Sequence, residues 1–167
     1  MYRIGDLILY GRTGVCKVEE IVEGAEGGDG ARRYYVLKPL YQNCSIQAPV
    51  EGGKVPSRPI ISRPEAEELI QRMPEMPAEP YYNRNLNRLR EHYRSCMEEC
   101  GCESLILLTK SLYMKKKEAE AQRRKFGAVD ERFMREAENL LFGEFAAALE
   151  IDRESVEGYI SSCLSPA

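Results

Sequence analysis

Residues 74–84, Pro-Glu-Met-Pro-Ala-Glu-Pro-Tyr-Tyr-Asn-Arg, separate two parts of the sequence that differ in hydrophobic periodicity. Three prolines fall within the first seven of these residues, a density that cannot continue a helix and favours an extended spacer. Before this stretch the apolar runs have the length of β-strands, and after it apolar residues recur at helical spacing. We therefore predict an N-terminal β domain and a C-terminal helical domain joined by a proline-rich linker.

The N-terminal part, residues 1–61, contains short apolar runs bounded by turn residues, a pattern typical of a small antiparallel barrel or sandwich. A run at 7–22, broken by a glycine turn, predicts a hairpin. Further strands are predicted at 32–38 and 44–49, and the proline that ends the second of them marks an edge or a strand terminus. The glycine-rich segment 24–30 predicts a flexible loop rather than a phosphate-binding loop, because no Gly-Lys-Ser/Thr follows it.

A short helix and the prolines are predicted to form a connecting segment, residues 62–80. Ser62 and Glu65 have the spacing of a capping box, so a helix is expected to run from about residue 63 to 73. The prolines that follow stop this helix. The segment therefore divides the N-terminal domain from a second domain at 81–167.

Residues 81–167 are predicted to form an all-α helical bundle. Apolar residues at helical spacing predict a first helix that ends near Gly101, a second that stops at Gly127 and a third that begins after it. Asp152 is predicted to cap a short fourth helix. The inward-facing residues of the third helix are expected to be Phe133, Ala137, Leu141, Phe145 and Leu149. The chain as a whole is thus predicted to belong to the α+β class.

The composition argues against several classes of protein. The hydrophobic fraction is 43% and the charged fraction 31%, values typical of a soluble globular chain, and no apolar run approaches the roughly 18 residues of a membrane span. The N-terminus lacks the apolar stretch of a secretory signal, so we expect a cytoplasmic location and reduced cysteines. With a single histidine and no nucleophile motif, the chain is not expected to be an enzyme, and we predict no cofactor and no small-molecule substrate.

The charge is unevenly distributed along the chain. The net charge is −3 overall, whereas residues 81–125 carry 11 Lys and Arg against 6 Asp and Glu, a local charge of +5. The sequence on both sides of this basic block is acidic. Clustered Lys and Arg are the usual electrostatic footprint of nucleic-acid binding, although a solvated helix face can have the same composition.

Three motifs occur in order in the N-terminal part. They are Tyr-Arg-Ile-Gly-Asp-Leu-Ile-Leu-Tyr at 2–10 followed by Gly14 and Val15, Tyr-Val-Leu-Lys at 35–38, and Val-Pro-Ser-Arg-Pro-Ile-Ile-Ser at 55–62. In this order, and followed by a helical second half, they resemble the CarD/CdnL family of bacterial transcription regulators. That family shares its N-terminal module with transcription-repair coupling factors. The resemblance extends over nearly the whole chain.

The resemblance implies that the N-terminal domain is a Tudor-like β barrel that binds the β subunit of RNA polymerase. Binding is expected through the pairing of an edge strand, an arrangement in which main-chain hydrogen bonds supply affinity. The residues expected at this contact are Cys44, Ser45, Ile46, Gln47, Ala48 and Pro49. Some family members have an arginine near the position of Gln47.

The resemblance also implies that the helical domain contacts promoter DNA at the upstream edge of the melted region, largely independently of sequence, and so stabilises the open complex. The family inserts a tryptophan into the minor groove, whereas this chain has no tryptophan and Tyr82 falls at that position. We therefore predict that Tyr82 is the wedge, the aromatic side chain that inserts at the fork where the promoter strands separate. It is expected to stabilise this fork more weakly than the tryptophan of other family members does. If Tyr81 packs on the helices, Tyr82 should point elsewhere. Phosphate contacts are predicted at Arg84, Arg88, Lys115, Lys116, Lys117, Arg123, Arg124 and Arg132.

Two alternatives remain open from the sequence. In the first, the helical domain contacts another protein, which would make the chain a polymerase-bound adaptor. The second is a zinc or redox sensor, because His92, Cys96 and Cys100 recur at helical spacing with Cys102 just beyond them. Paired Cys-x-x-Cys motifs are missing and cysteine is often buried, so packing is the expected role and no metal site is assigned.

Overall fold

The computed structural model describes residues 1–24, 32–98 and 101–164. These residues form an antiparallel β-sheet followed by helices, so the α+β class predicted from the sequence is confirmed. The chain divides into two compact units, Met1–Ile60 and Ile61–Ala167, and each has its own apolar core. Most of the glycine-rich segment that was predicted to be a loop lies outside the described residues.

The N-terminal unit is built on one antiparallel sheet. Its described strands are β1 (Leu7–Tyr10), β2 (Gly14–Glu23), β3 (Arg33–Pro39), β4 (Ile46–Pro49) and β5 (Ser57–Pro59). They are arranged in the order β4-β3-β2-β1-β5. No pairing joins β4 to β5 in the described part of the chain, so the predicted closed barrel is corrected to an open sheet. Both edge strands are short and contain a proline, Pro49 or Pro59, which lacks the N–H group that closure would use.

One face of the sheet carries the apolar core of this unit. Ile8, Val18 and Leu37 are almost fully buried, and they share this face because side chains alternate along each strand. Tyr35 extends the core beside β4, and its hydroxyl accepts a hydrogen bond from the backbone N–H of Tyr2 at 3.0 Å. The first residues of the chain are thereby fixed to the sheet.

The described part of the C-terminal unit consists of helices and short turns. The helices are α1 (Arg63–Arg72), α2 (Leu86–Glu98), α3 (Cys102–Ala121), α4 (Ala128–Leu149) and α5 (Val156–Leu164). Short 3-10 turns at Met73–Glu75 and Arg153–Ser155 follow α1 and precede α5. Helix α3 packs against α4, and α2 packs against both.

The helix ends test three capping predictions. The predicted helix start with Ser62 as its cap is confirmed, because Ser62 Oγ accepts a hydrogen bond from the backbone N–H of Glu65. Gly101 has an extended backbone and begins α3, so the prediction that it caps the end of α2 is wrong, since that role calls for a left-handed backbone. Asp152 occupies the N-cap position of the 3-10 turn Arg153–Ser155 that leads into α5, not of α5 itself, and its side chain forms no capping hydrogen bond.

The helical core lies between α2, α3 and α4. Leu89 and Tyr93 from α2 meet Leu112 from α3 and Phe133 from α4. The residues of α4 that were predicted to face inward are all buried: Phe133, Ala137, Leu141, Phe145 and Leu149. Their spacing of four residues places them on one side of the helix, which confirms that prediction.

The first residues of the proline-rich stretch are attached to α3. Lys110 Nζ donates hydrogen bonds to the carbonyl oxygens of Met73 and Met76, both at 2.6 Å. These carbonyls lie at or beyond the end of α1, where helical N–H partners run out. Met76 is also buried. The stretch that was predicted to be an extended spacer therefore begins on the surface of the helical unit.

Two helices end in a residue other than glycine with a left-handed backbone. Arg123 follows α3 with φ of 54°, and Glu150 follows α4 with φ of 56°. After α3, the N–H of Arg123 bonds the carbonyl of Glu120, and the N–H of Arg124 bonds that of Ala119. This is the Schellman arrangement, in which glycine is usual because a Cβ atom adds strain.

Replacing Arg123 by glycine is expected to stabilise the helical unit, because the substitution removes the strain of a left-handed arginine. We expect the free energy of unfolding in urea to rise by about 0.5–1 kcal/mol, the relief being partly offset by the greater freedom of glycine in the unfolded chain. Arg123→Ala removes the same charge but keeps Cβ, so it should give no such gain. Equal stability of the two variants would contradict the strain argument.

Candidate polymerase and nucleic-acid interfaces

The strand predicted to bind the polymerase forms an edge of the sheet. Among the described strands β4 pairs only with β3. Just after β4, the backbone N–H of Val50 donates to the carbonyl of Arg33 at 3.0 Å. Because the amide groups of an antiparallel strand point alternately to either side, those of Gln47 and Pro49 face away from β3. The open edge therefore offers the N–H and C=O of Gln47 and the C=O of Pro49.

The side chains of the six predicted contact residues lie in different environments. Those of Cys44, Ser45, Gln47 and Pro49 are exposed, that of Ile46 is half-buried and that of Ala48 is buried. A cavity of about 280 Å³ lies beside Ala48 and is lined by residues that include Tyr2, Tyr10 and Tyr35. A residue opposite Ala48 on an added strand would project to this same face of the sheet.

The two adjacent tyrosines after the prolines point in different directions. Tyr81 stacks on His92, with ring centroids 3.7 Å apart and planes inclined by 14°. The Asn83 side-chain amide donates to the Tyr81 hydroxyl at 3.1 Å. Tyr82, in contrast, is 54% exposed. The expectation that a packed Tyr81 leaves Tyr82 pointing elsewhere is confirmed.

Two charged side chains of α3 contact Tyr82. Its hydroxyl donates a hydrogen bond to Glu118, and Lys115 Nζ lies 4.7 Å from the centroid of its ring, within the range of a cation–π interaction. The hydrogen bond to Glu118 raises the pKa of Tyr82, because the carboxylate stabilises the protonated phenol. The ring is therefore held against α3 while half of its surface remains accessible.

A buried polar cluster beneath Tyr82 joins three helices. Lys115 Nζ on α3 donates to Asp130 Oδ1 on α4 at 2.9 Å and to the Tyr93 hydroxyl on α2 at 3.2 Å. The Tyr93 hydroxyl donates in turn to Asp130. Burial and this bond raise the pKa of Tyr93, which keeps the phenol neutral. Asp130 lies in the first turn of α4, where the helix dipole favours a carboxylate.

Lys115 does not fit the phosphate-binding role that the sequence predicts. Its side chain is 7% exposed and paired with Asp130, so its ammonium group could reach a phosphate only by breaking a buried ion pair. Lys116 is half-buried and Lys117 is exposed. Consecutive residues of a helix point about 100° apart, so this run of lysines does not form a single surface.

A cleft of about 610 Å³ opens beside Tyr82. Among the residues that line it are Tyr82, Arg84, Leu86, Lys115, Arg124 and Asp130. Arg84 precedes α2, and Arg124 stands just after the left-handed turn that ends α3. The cleft therefore brings an arginine from after α3, Arg124, close to Tyr82 and Arg84, although it follows them by about forty residues in the sequence.

The remaining predicted phosphate contacts lie outside this cleft. Arg88 and Arg123 are exposed. Arg132 is also exposed and forms an ion pair with Glu136 at 3.5 Å. Of the predicted basic residues, Arg84 and Arg124 thus combine exposure with proximity to Tyr82.

The family comparison concerns the N-terminal unit. Residues 2–61 match the family model of the CarD-like/TRCF RID domain. These residues form a CarD-like domain. The resemblance drawn from the three sequence motifs is thereby confirmed for the N-terminal residues that carry them, and the matched family is a polymerase-interacting protein module rather than an enzyme family. No curated protein matches the chain.

The helical unit lies beyond the residues that match the CarD-like domain. None of its described helices, nor any other in the described parts of the chain, is long and apolar enough to cross a membrane.

The histidine and cysteine pattern does not assemble a metal centre in the described part of the chain. Cys96 Sγ lies 3.7 Å from His92 Nε2, while the His92 ring is covered by Tyr81. Cys102 is buried at the start of α3, and Cys100 lies outside the described residues. No group of three or more potential metal ligands occurs among residues 1–24, 32–98 and 101–164.

Sequence reasoning missed two acidic residues of the cleft region, Glu118 and Asp130. Glu118 follows Lys115 by three residues, so the two side chains lie on the same side of α3. Asp130 follows Gly127 by three residues and falls in the first helical turn, where carboxylates are favoured. Both signals were present, but the sequence does not show that Glu118 accepts from Tyr82 or that Asp130 pairs with Lys115.

Replacing Lys115 by methionine is expected to destabilise the helical unit, because Asp130 would remain buried without its cation. We expect the free energy of unfolding to fall by about 3 kcal/mol in chemical denaturation. Lys117→Met, on the same helix but exposed, is the matched control and should change it by less than about 0.5 kcal/mol. If the two variants lost stability equally, the buried pair would not be the cause.

Proposed function

We propose that this protein is a transcription regulator that binds the β subunit of bacterial RNA polymerase through its CarD-like domain and promoter DNA through its helical unit. In this proposal residues 1–61 bind the polymerase, residues 62–80 connect, residues 81–167 contact DNA, and the protein acts in the cytoplasm. The observation that carries it is an exposed Tyr82 beside Arg84 and Arg124, in the same chain as a polymerase-interacting domain.

The polymerase contact proposed here is the addition of a strand to β4. The outward N–H and C=O groups of Gln47 supply a donor and an acceptor on an edge that no other described strand pairs with. Main-chain pairing of this kind places few demands on side chains, which suits an edge whose outward residues are a glutamine and a proline. The adjacent cavity gives the added strand a place for one side chain.

Replacing Gln47 by proline should weaken binding to the isolated β subunit by about tenfold, because it removes an outward N–H and places a ring at the pairing edge. Gln47→Ala removes the side chain but keeps the N–H, so it should bind like the unchanged protein. Binding can be measured by biolayer interferometry, with circular dichroism to check the fold. Full binding by the proline variant would exclude pairing at this strand, and equal losses in both variants would point to a side-chain contact instead.

The DNA contact proposed here combines one aromatic ring with flanking positive charge. Tyr82 offers a flat, half-exposed ring that can lean on an opened base step. Arg84 and Arg124 line the same cleft and can bind phosphates on either side of that step. In this arrangement the ring and the two arginines recognise the shape and charge of a fork through stacking and phosphate contacts, so binding is expected to be largely independent of sequence.

The regulatory effect follows from differential affinity. A protein that binds the open complex better than the closed one shifts the melting equilibrium by the ratio of its two affinities. The DNA contact need not be strong by itself, because attachment to polymerase raises its effective concentration at the promoter. The proposed outcome is a longer-lived open complex.

The proposal predicts that forked promoter DNA binds through phosphates at the cleft. Arg84→Gln combined with Arg124→Gln should weaken binding and reduce the slope of log affinity against log salt by about 1–2, since each lost phosphate contact contributes about 0.9. Anisotropy of labelled DNA across a salt series, with and without polymerase, measures both effects.

Arg135→Gln is the matched control for this experiment. Arg135 is an exposed arginine of α4 paired with Glu131 at 3.2 Å, and it does not line the cleft. The Arg135→Gln substitution should leave the affinity for forked DNA nearly unchanged. If the affinity for forked DNA changes neither with salt nor with the substitutions at Arg84 and Arg124, the adaptor function is favoured, in which the helical unit contacts a protein partner instead of DNA.

A further inference from the structure

Tyr82 is restrained at three points. Its backbone follows Tyr81, which is stacked on His92. The second restraint is Lys115, whose ammonium group lies over the Tyr82 ring. Its buried hydrogen bonds to Asp130 and Tyr93 fix the position of that ammonium group. The third restraint is the hydrogen bond from the Tyr82 hydroxyl to Glu118.

Glu118 is itself held in place on the surface of α3. Its other carboxylate oxygen accepts a hydrogen bond from the Gln122 side-chain amide at 3.5 Å, one helical turn further along. A phenol that leans on a base step still needs a partner for its hydroxyl. Glu118 provides that partner from the protein, so the ring does not have to find one on the DNA.

We propose that Glu118 is a positioning residue that fixes the exposed ring of Tyr82 in its DNA-binding orientation. The inference rests on the proposed function and assigns Glu118 a part in it. A side chain that is already ordered loses less conformational entropy on binding than a mobile one. Glu118 thus strengthens DNA binding despite carrying a negative charge beside a phosphate-binding cleft.

The negative charge of Glu118 suggests a second explanation, in which Glu118 affects DNA binding through its charge alone. If Glu118 acted only as a charge, any neutral residue in its place would reduce repulsion of phosphates and strengthen DNA binding. Glu118→Gln and Glu118→Leu remove the same charge, but only glutamine keeps an oxygen that can accept from the Tyr82 hydroxyl. The difference between these two variants therefore isolates the hydrogen bond.

The first test uses the protein without DNA. Tyrosine rings labelled with carbon-13 can be titrated by NMR, with the Tyr82 signal assigned by its loss in Tyr82→Phe. Removing the carboxylate in Glu118→Leu should lower the pKa of Tyr82 towards its ordinary value, because the protonated phenol loses its acceptor. Tyr113, whose hydroxyl donates to Glu138 instead, is the internal control and should not move.

The second test measures binding to forked DNA. Glu118→Leu should bind about three- to tenfold more weakly than Glu118→Gln, the range expected for the ordering of one side chain. In a Tyr82→Phe background the two variants should bind alike, since no hydroxyl remains to be held. Leu and Gln substitutions at Glu120, an exposed acid of the same helix, should also bind alike.

The outcomes separate this inference from the proposed function. A Tyr82 pKa that does not respond to Glu118→Leu would overturn the positioning role whether or not DNA binds. Equal binding by Glu118→Leu and Glu118→Gln in the presence of Tyr82 would overturn it as well and leave only a charge effect. If Tyr82→Ala binds forked DNA as well as the unchanged protein does, the proposed wedge fails, even where the NMR result shows that Glu118 holds the ring.

Discussion

The buried ion pair between Lys115 and Asp130 connects the helical core to the proposed DNA site. It ties α3 to the first turn of α4, and the hydroxyl of Tyr93 brings α2 to the same point. Burying two charges is costly unless their hydrogen bonds are satisfied, and here each charge has two partners inside the unit. Since Lys115 also stands 4.7 Å from the centre of the Tyr82 ring, the packing of three helices sets the position of an exposed aromatic side chain.

Among the described strands of the N-terminal unit, no pairing closes the sheet into a barrel. Strands β4 and β5 are four and three residues long, and the prolines they contain limit how far pairing can extend. An open edge of this length can form few main-chain hydrogen bonds, each worth about 1 kcal/mol net. Strand addition alone would therefore give a weak complex. The proposed regulator needs both of its contacts, because each one raises the effective concentration of the other.

Local patterns predicted most of the fold, whereas the site depended on contacts between distant residues. Helical spacing identified the buried side of α4, and the capping box identified the start of α1, because both signals lie within one or two turns. Sheet closure could not be predicted, since it depends on how two edges meet. The sequence shows correctly that residues 81–125 carry a net positive charge. It does not show that the Lys115 side chain turns inward, because this depends on an ion pair with Asp130, fifteen residues later on another helix. Composition cannot show which positive charge is already paired.

The sequence resemblance implies that Tyr82 falls where the family has a tryptophan, and in the proposed function this changes what the surrounding residues must supply. A tryptophan offers more apolar surface and an N–H donor, whereas a tyrosine offers less surface and a hydroxyl at the tip of its ring. In this chain Glu118 accepts a hydrogen bond from the Tyr82 hydroxyl, and Lys115 faces the Tyr82 ring. The smaller side chain is therefore supported by two neighbours on α3. Both neighbours belong to the block whose net charge first suggested DNA binding. In the proposed function their contribution is to order the ring, while the exposed arginines, Arg84 and Arg124, are proposed to bind phosphate. Separating these two tasks would allow the proposed wedge, Tyr82, to bind DNA beside the carboxylate of Glu118.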